Sequence, residues 1–342
     1  GRSFNDSPKR LFDLIVSDPY FEDFELIWAF TEPNEFQHLV SKKVKIDTIQ
    51  YFYHIMTAGV WIANVNMDRG LNIKRKETIY VNTWHGTPLK KIGNDVDGRF
   101  DFDWRDVDLS TVTGDYELQI FKECFLLDPS RTEVIKGNPR HDQILNTNVS
   151  REDGDRLFRT GERRVILYAP TWRDKSAPPI QQLFDLEEWR RRLSETHVFW
   201  FREHIITQEE NSSQSVADND FFFDMSSVPD VFELLPFVDV LISDYSGMFF
   251  DFAFYERPMF SFAYDYDTYI QQRGLYYDLE KLFQERFVTD SNVLLEEILK
   301  CTEHTRCDLT TDFKKQFLYD SDNAGSRVVN SLKNRLTRLS HD

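Results

Sequence analysis

Three cysteines are few for a chain of 342 residues. Cys124, Cys301 and Cys307 lack metal-ligand spacing and are too few for a disulfide framework, which excludes a zinc module and a disulfide-stapled scaffold. A reduced, cytoplasmic setting is the expectation. Long apolar runs are missing as well: none reaches the ~18 residues of a spanning helix, and no signal peptide is read. Positive charge is scarce, with 41 Lys and Arg against 58 Asp and Glu and a net charge of −17. That balance argues against a nucleic-acid partner and against a mainly electrostatic membrane anchor. The chain holds no GxxxxGKS/T loop, no GxGxxG opening a helix and no HExxH. Internal repeats and low-complexity tracts are also absent. The sequence starts at Gly1 without Met and runs quickly into "LFDLIV", which reads as a domain cut from a longer protein.

What is present is apolar and aromatic. Hydrophobic residues make up 41%, with 30 Phe, 14 Tyr and 7 Trp, ample for packed cores. The length suggests about two domains. Short β-rich runs alternate with amphipathic segments, the α/β signature. Strands are expected at 24–30, 43–49, 59–64, 78–84, 109–114 and 132–137, then at 164–169, 197–202, 220–224, 238–243 and 259–263. Helices are expected near 146–164 and at 186–194, 228–237, 292–301 and 326–339. Two Rossmann-like domains facing each other across a cleft fit this layout. The first covers 1–145 and the second 146–325, with a helix at 326–342 that returns to the first.

Ligands of open parallel sheets bind beyond the carboxyl ends of the strands, and polar residues collect there. "TIYVNTWHGTPLKKIG" (78–93) takes a buried strand into His85, Gly86 and Thr87, where His85 reads equally as a base or as a structural cap. Thr171 and Arg173 follow "VILYA", Arg202 and His204 end "HVFWFR", and Ser226 follows "FFFD". "VDVLIS" runs into Ser243, Asp244, Ser246 and Gly247 before a helix. Such a set suits an anionic ligand: backbone N–H groups and the helix dipole attract phosphate. Hydroxyls add donors, and Arg202 with His204 on one side of an extended segment neutralises a diphosphate. Ser246 as a plain N-cap is compatible with that role. Asp244 is a poor phosphate partner and suits orienting donors or touching a ribose. Arg173 has the weaker claim, with Asp174 beside it as an ordinary partner. "KGNPRHD" (136–142) reads as a hinge or cleft wall, with Arg140 as a lesser ligand candidate and His141 as structural. "DFD" (101–103) and "DYD" (265–267) resemble metal-holding acidic pairs, but neither directly ends a clear hydrophobic strand, and no metal site is assigned.

Taken together, "NDSPKRLFD" (5–13), "NTWHGTPLKKIG" (82–93), "GNPRHD" (137–142), "LYAPTWRD" (167–174), "FREH" (201–204), "LISDYSGMFFDFAFYERPMFSFAYD" (241–265) and "DSDNAGSRV" (320–328) resemble the CDP-glycerol glycerophosphotransferase family of teichoic acid primases and polymerases. They occur in the family's order and cover nearly the whole chain. The resemblance implies a GT-B-like fold and transfer of glycerol or ribitol phosphate from a CDP-linked donor to a hydroxyl, releasing CMP. It also implies catalytic roles for His85 and His204. No cofactor is required, although a diphosphate can recruit Mg²⁺. The implied acceptor is a lipid-linked or capsule-type polymer, with the protein at the inner face of a bacterial membrane through a contact outside this fragment. A GT-B glycosyltransferase using a nucleotide sugar and a non-catalytic binding module are the rival readings.

Overall fold

The computed structural model describes residues 1–67, 71, 73–146, 149–171, 173, 178–203, 220–301 and 307–339. His204, one of the two expected catalytic histidines, and Asp174 lie outside the described residues. The chain divides into two compact units. One comprises Gly1–His85, Ile92–Leu145 and Phe317–Asp342, the other Gly86–Lys91 and Asn146–Gln316. Two features are not apparent in the sequence: a six-residue excursion at Gly86 and a first-unit segment that begins at Phe317.

The first unit is built on a parallel four-stranded sheet in the order β3 (Val60–Ala63), β4 (Ile79–Asn82), β5 (Leu109–Val112) and β6 (Glu133–Lys136). Strands β1 (Ile27–Phe30) and β2 (Lys42–Lys45) form a separate parallel pair. β2 reads Lys-Lys-Val-Lys and buries only Val44, so it lacks the two apolar faces that an interior strand of a parallel sheet needs. Helix α1 (Asp6–Val16) and the last described helix (Ala324–Leu339) close the core over this sheet, where Leu11, Ile15, Val328, Val329 and Leu332 meet Val81, Leu109 and Ile135. Each such side chain contributes about 1.5–3 kcal/mol when fully buried. The N-terminus of the last helix is capped from afar: the Asp142 carboxylate accepts from Ala324 N and Gly325 N, both at 2.9 Å.

The second unit holds a parallel six-stranded sheet in the order β12 (Phe287–Val288), β11 (Met259–Phe262), β10 (Val240–Ser243), β7 (Arg164–Tyr168), β8 (His197–Phe201) and β9 (Phe222–Asp224). β7 and β10 are buried along their whole length, as strands covered on both faces must be. The order runs outward from β7 in both directions, so the topological switch lies between β7 and β10. Ligands of such sheets bind at that point. Two local expectations fail. Residues 228–237 form two short 3-10 turns, Val231–Glu233 and Leu235–Phe237, because Pro236 removes an amide that a continuous helix needs. The two-residue strand β12 was not read, since it is too short to show a period.

Candidate functional site

In the first unit, β4 ends at Asn82, whose side chain turns the chain: Asn82 Oδ1 accepts from Trp84 N at 2.9 Å. Trp84 takes φ +51°, in the left-handed region. Its indole packs among Trp104, Phe121 and Phe125, with ring centres 5.6, 6.4 and 4.6 Å away. Burying Trp84 leaves His85 exposed. The imidazole lies 4.0 Å from the Trp84 ring, and its Nδ1 lies 2.7 Å from the Asn64 carbonyl oxygen. A carbonyl only accepts, so Nδ1 carries the hydrogen and Nε2 is the basic nitrogen of the neutral ring.

The loop carrying Asn64 is fixed on several sides. Val65 O accepts from Asn82 Nδ2 at 3.2 Å, and Asn66 Oδ1 accepts from Trp104 Nε1 at 2.8 Å. Asn64 Nδ2 donates to Asp6 Oδ2 at 2.9 Å, and Asp6 pairs with Arg140 at 3.6 Å. Arg140 is 4% exposed. The structure thus places this ligand candidate inside the unit, against a carboxylate.

Gly86 follows with φ +141°, which a side chain would oppose. Thr87 is buried in the second unit, close to Gly247. A Cβ at Gly247 would stand 2.5 Å from the Thr87 carbonyl oxygen, so this glycine makes room for protein backbone. Further along the same loop, Lys90 bridges to Leu275, and Leu89 O accepts from Tyr276 N at 2.8 Å.

At the switch point of the second sheet, Asp244 is fully buried. Its Oδ1 accepts from Thr171 N at 2.8 Å and Tyr245 N at 2.7 Å, and its Oδ2 accepts from Arg173 at 2.8 Å. Arg173 also donates to both oxygens of Asp265, at 2.9 and 3.1 Å, and to Thr171 O at 2.7 Å. Its Cζ sits 5.0 Å from the Tyr245 and Tyr269 ring centres and 5.7 Å from that of Tyr264. Burial works against the guanidinium charge, but Asp244 and Asp265 outweigh it and raise its pKa above the usual arginine range. Burial also pushes the Tyr264 phenol up, to about 12, even though Arg173 opposes that shift.

These contacts fix where the sequence candidates sit. Arg173 is not a surface residue; its partners are Asp244 and Asp265. The Ser243 hydroxyl donates to Ala169 O at 2.6 Å inside the fold. Asp244 joins three loop groups and is fully enclosed. The Ser226 hydroxyl accepts from Glu203 N at 2.9 Å. Ser246 is half-buried, and its hydroxyl accepts from Met248 N at 3.1 Å, as a cap does.

Two groups differ. Thr171 Oγ1 and Arg202 Nε are buried with no hydrogen-bond partner among the described residues. Buried polar atoms of this kind call for a ligand or water to complete them. Arg202 donates from its other arm to Val228 O at 3.1 Å, and burial pushes its pKa down against the pull of Asp230. Burial, with Asp224 adding, pushes the Glu203 carboxyl up. No group of three His, Cys, Asp or Glu placed for a metal occurs among the described residues.

Asn64, Asp6, Asp265 and the tyrosines around Arg173 were missed as site residues. In sequence "DYD" resembles only a metal pair, and nothing local ties Asp265 to an arginine 92 positions away.

Comparison with known proteins adds the following. The family model for CDP-Glycerol:Poly(glycerophosphate) glycerophosphotransferase matches residues 1–334. The chain is 28% identical over 363 residues to the teichoic acid poly(glycerol phosphate) polymerase of Bacillus spizizenii, covering 97% of this chain and 89% of that one. It is 31% identical over 303 residues to the enzyme of that name from Staphylococcus epidermidis, covering 81% of this chain and 41% of the longer relative. Among solved structures, a histidine variant of the wall teichoic acid polymerase TagF soaked with CDPG matches with a TM-score of 0.84 and 28% identity, over 99% of this chain and 88% of that one. The fold is α/β and GT-B-like.

Proposed function

This chain belongs to the CDP-glycerol:poly(glycerophosphate) glycerophosphotransferase family, and we propose that it moves an alditol phosphate, glycerol phosphate first, from a CDP-linked donor to a hydroxyl of a growing polymer. The acceptor hydroxyl oxygen attacks the phosphorus that bears the alditol. The bond from that phosphorus to the bridging oxygen breaks, and CMP leaves with that oxygen. His85 Nε2 takes the acceptor's proton. A positioned base of this kind contributes about 10²–10⁴-fold.

The observation that carries this reading is the seat of His85: an exposed imidazole whose Nδ1 faces a backbone carbonyl at 2.7 Å. In the second unit, the Thr171 hydroxyl and Arg202 Nε, without partners among the described residues, supply donors for a diphosphate. Asp244, Arg173, Ser243 and Ser226 hold the loops that present them. His204 is assigned to charge stabilisation on the departing CMP. The acceptor is a teichoic-acid or capsule-type chain, lipid-linked, so the reaction runs at the cytoplasmic face of a bacterial membrane. No described helix is long and apolar enough to cross that membrane.

The test is CMP release from CDP-glycerol, CDP-ribitol and a panel of UDP-sugars, with a polyol-phosphate acceptor. Release from a CDP-alditol is expected, falling about 10²–10⁴-fold in a folded His85→Ala variant. Turnover of nucleotide sugars alone would overturn the reading.

A further inference from the structure

A histidine side chain in water prefers to carry its proton on Nε2. The His85 contact demands the opposite tautomer, since Nδ1 faces the Asn64 carbonyl oxygen at 2.7 Å. That demand is only as firm as the carbonyl's position. Asn64 is half-buried on the loop after β3, and its own carboxamide reaches Asp6 Oδ2 at 2.9 Å. Asp6 opens α1 with φ +61° and is held in turn: its Oδ1 accepts from Ser7 N at 2.6 Å and faces Arg140 at 3.6 Å. The Arg140 amide donates to Ser7 Oγ at 3.3 Å, and Ser7 Oγ donates to Asn138 Oδ1. Asn138 Nδ2 donates to Thr83 O at 3.2 Å, two residues before His85. The path therefore begins at His85 and returns to its own strand end.

We propose that Asn64 and Asp6 are positioning residues that hold His85 in its Nδ1–H tautomer, leaving Nε2 as the basic nitrogen. This rests on the assignment of His85 as the base. The aspartate acts through the loop it anchors, because its carboxylate bonds the Asn64 side chain and not the imidazole. A carboxylate directly on Nδ1 would favour the imidazolium. A backbone carbonyl sets the tautomer without adding that charge. "NDS" (5–7), "GNPR" (137–140) and "WHG" (84–86) are thereby parts of one device although more than 130 positions separate the first from the second.

The test is ¹⁵N spectroscopy of histidine-labelled protein at about pH 8.5, where an ordinary imidazole is neutral, with kinetics of CMP release beside it. Wild-type His85 is expected to show a pyridine-like Nε2 and a pyrrole-like Nδ1. Asn64→Asp sets two carboxylates against each other; the tautomer should shift toward Nε2–H, and kcat should fall about tenfold to a hundredfold with the donor KM nearly unchanged. The exchange pair Asn64→Asp with Asp6→Asn restores the hydrogen bond in reverse and should recover both signals. If Asn64→Asp does not fold, Asn64→Ala supplies the same comparison. A wild-type spectrum with hydrogen on Nε2, an unchanged spectrum in the variants, or an exchange pair that recovers nothing would overturn the proposal. The spectrum needs no substrate, so it separates this proposal from the base assignment. A His85→Ala variant that keeps its activity beside an Nδ1–H spectrum would sink the latter alone.

Discussion

His85 and Arg173 both follow strands of parallel sheets, in different units, and are held by opposite means. The imidazole is exposed and meets a neutral carbonyl; the guanidinium is 11% exposed and meets two carboxylates and three tyrosine rings. On the proposed roles, a group that must gain and lose a proton is fixed by a dipole that leaves its charge free to change. A group that ties loops together is fixed by charge that never changes. On that proposal the contrast separates the chemistry-bearing side chain from the scaffold, a distinction that residue type alone blurs.

The comparison breaks most sharply at Asp244. Asp244→Ala takes from Arg173 the enclosed one of its two carboxylates, leaving Asp265, and strands the Thr171 and Tyr245 amides. Removing one partner of a buried pair costs about 3–5 kcal/mol, so urea unfolding should show a loss of that size. A loss below about 1 kcal/mol, the level of an exposed pair, would make the cluster incidental.

Thr171→Val probes the other kind of group. Its hydroxyl has no partner among the described residues, so stability should hold or rise slightly. The donor KM should rise about tenfold, the worth of one hydrogen bond to a charged group. An unchanged KM would remove Thr171 from the donor site.

The smallest effect is expected at Glu203, whose carboxyl is pushed up by burial and by Asp224. A carboxyl with a raised folded pKa favours the fold while both states are protonated, and that advantage is lost as pH rises through the folded value. Glu203→Gln should therefore raise Tm slightly at pH 7. The gain should vanish below the ordinary glutamate pKa of about 4.3. A gain that persists in acid would point to packing instead.

Much of the sheet structure was legible because parallel strands covered on both faces must be apolar, and "RVILY" (164–168) and "VLIS" (240–243) are. The strand ends were legible for the same reason, since a polar residue stands out where such a run stops. What those residues do was less legible. Ser243 and Ser246 look alike in sequence, yet one hydroxyl donates to Ala169 O and the other accepts from Met248 N. In sequence Arg173 stands beside Asp174, while its partners lie 71 and 92 positions away. Asn64 gave no signal at all, because its contact to His85 uses a backbone carbonyl that every residue type possesses.

The interleaving of the two units also bears on how the protein is made. The second unit is complete once residue 316 has been synthesised. The first is not, because Val328, Val329 and Leu332 supply part of its core and Ala324 and Gly325 take up the Asp142 carboxylate. During synthesis from the N-terminus, Leu11, Ile15 and the sheet beneath them wait with an open apolar face while more than 180 further residues leave the ribosome after Asp142. Exposed surface of that kind draws chaperones and aggregation. The half of the molecule that starts first is thus the half that closes last.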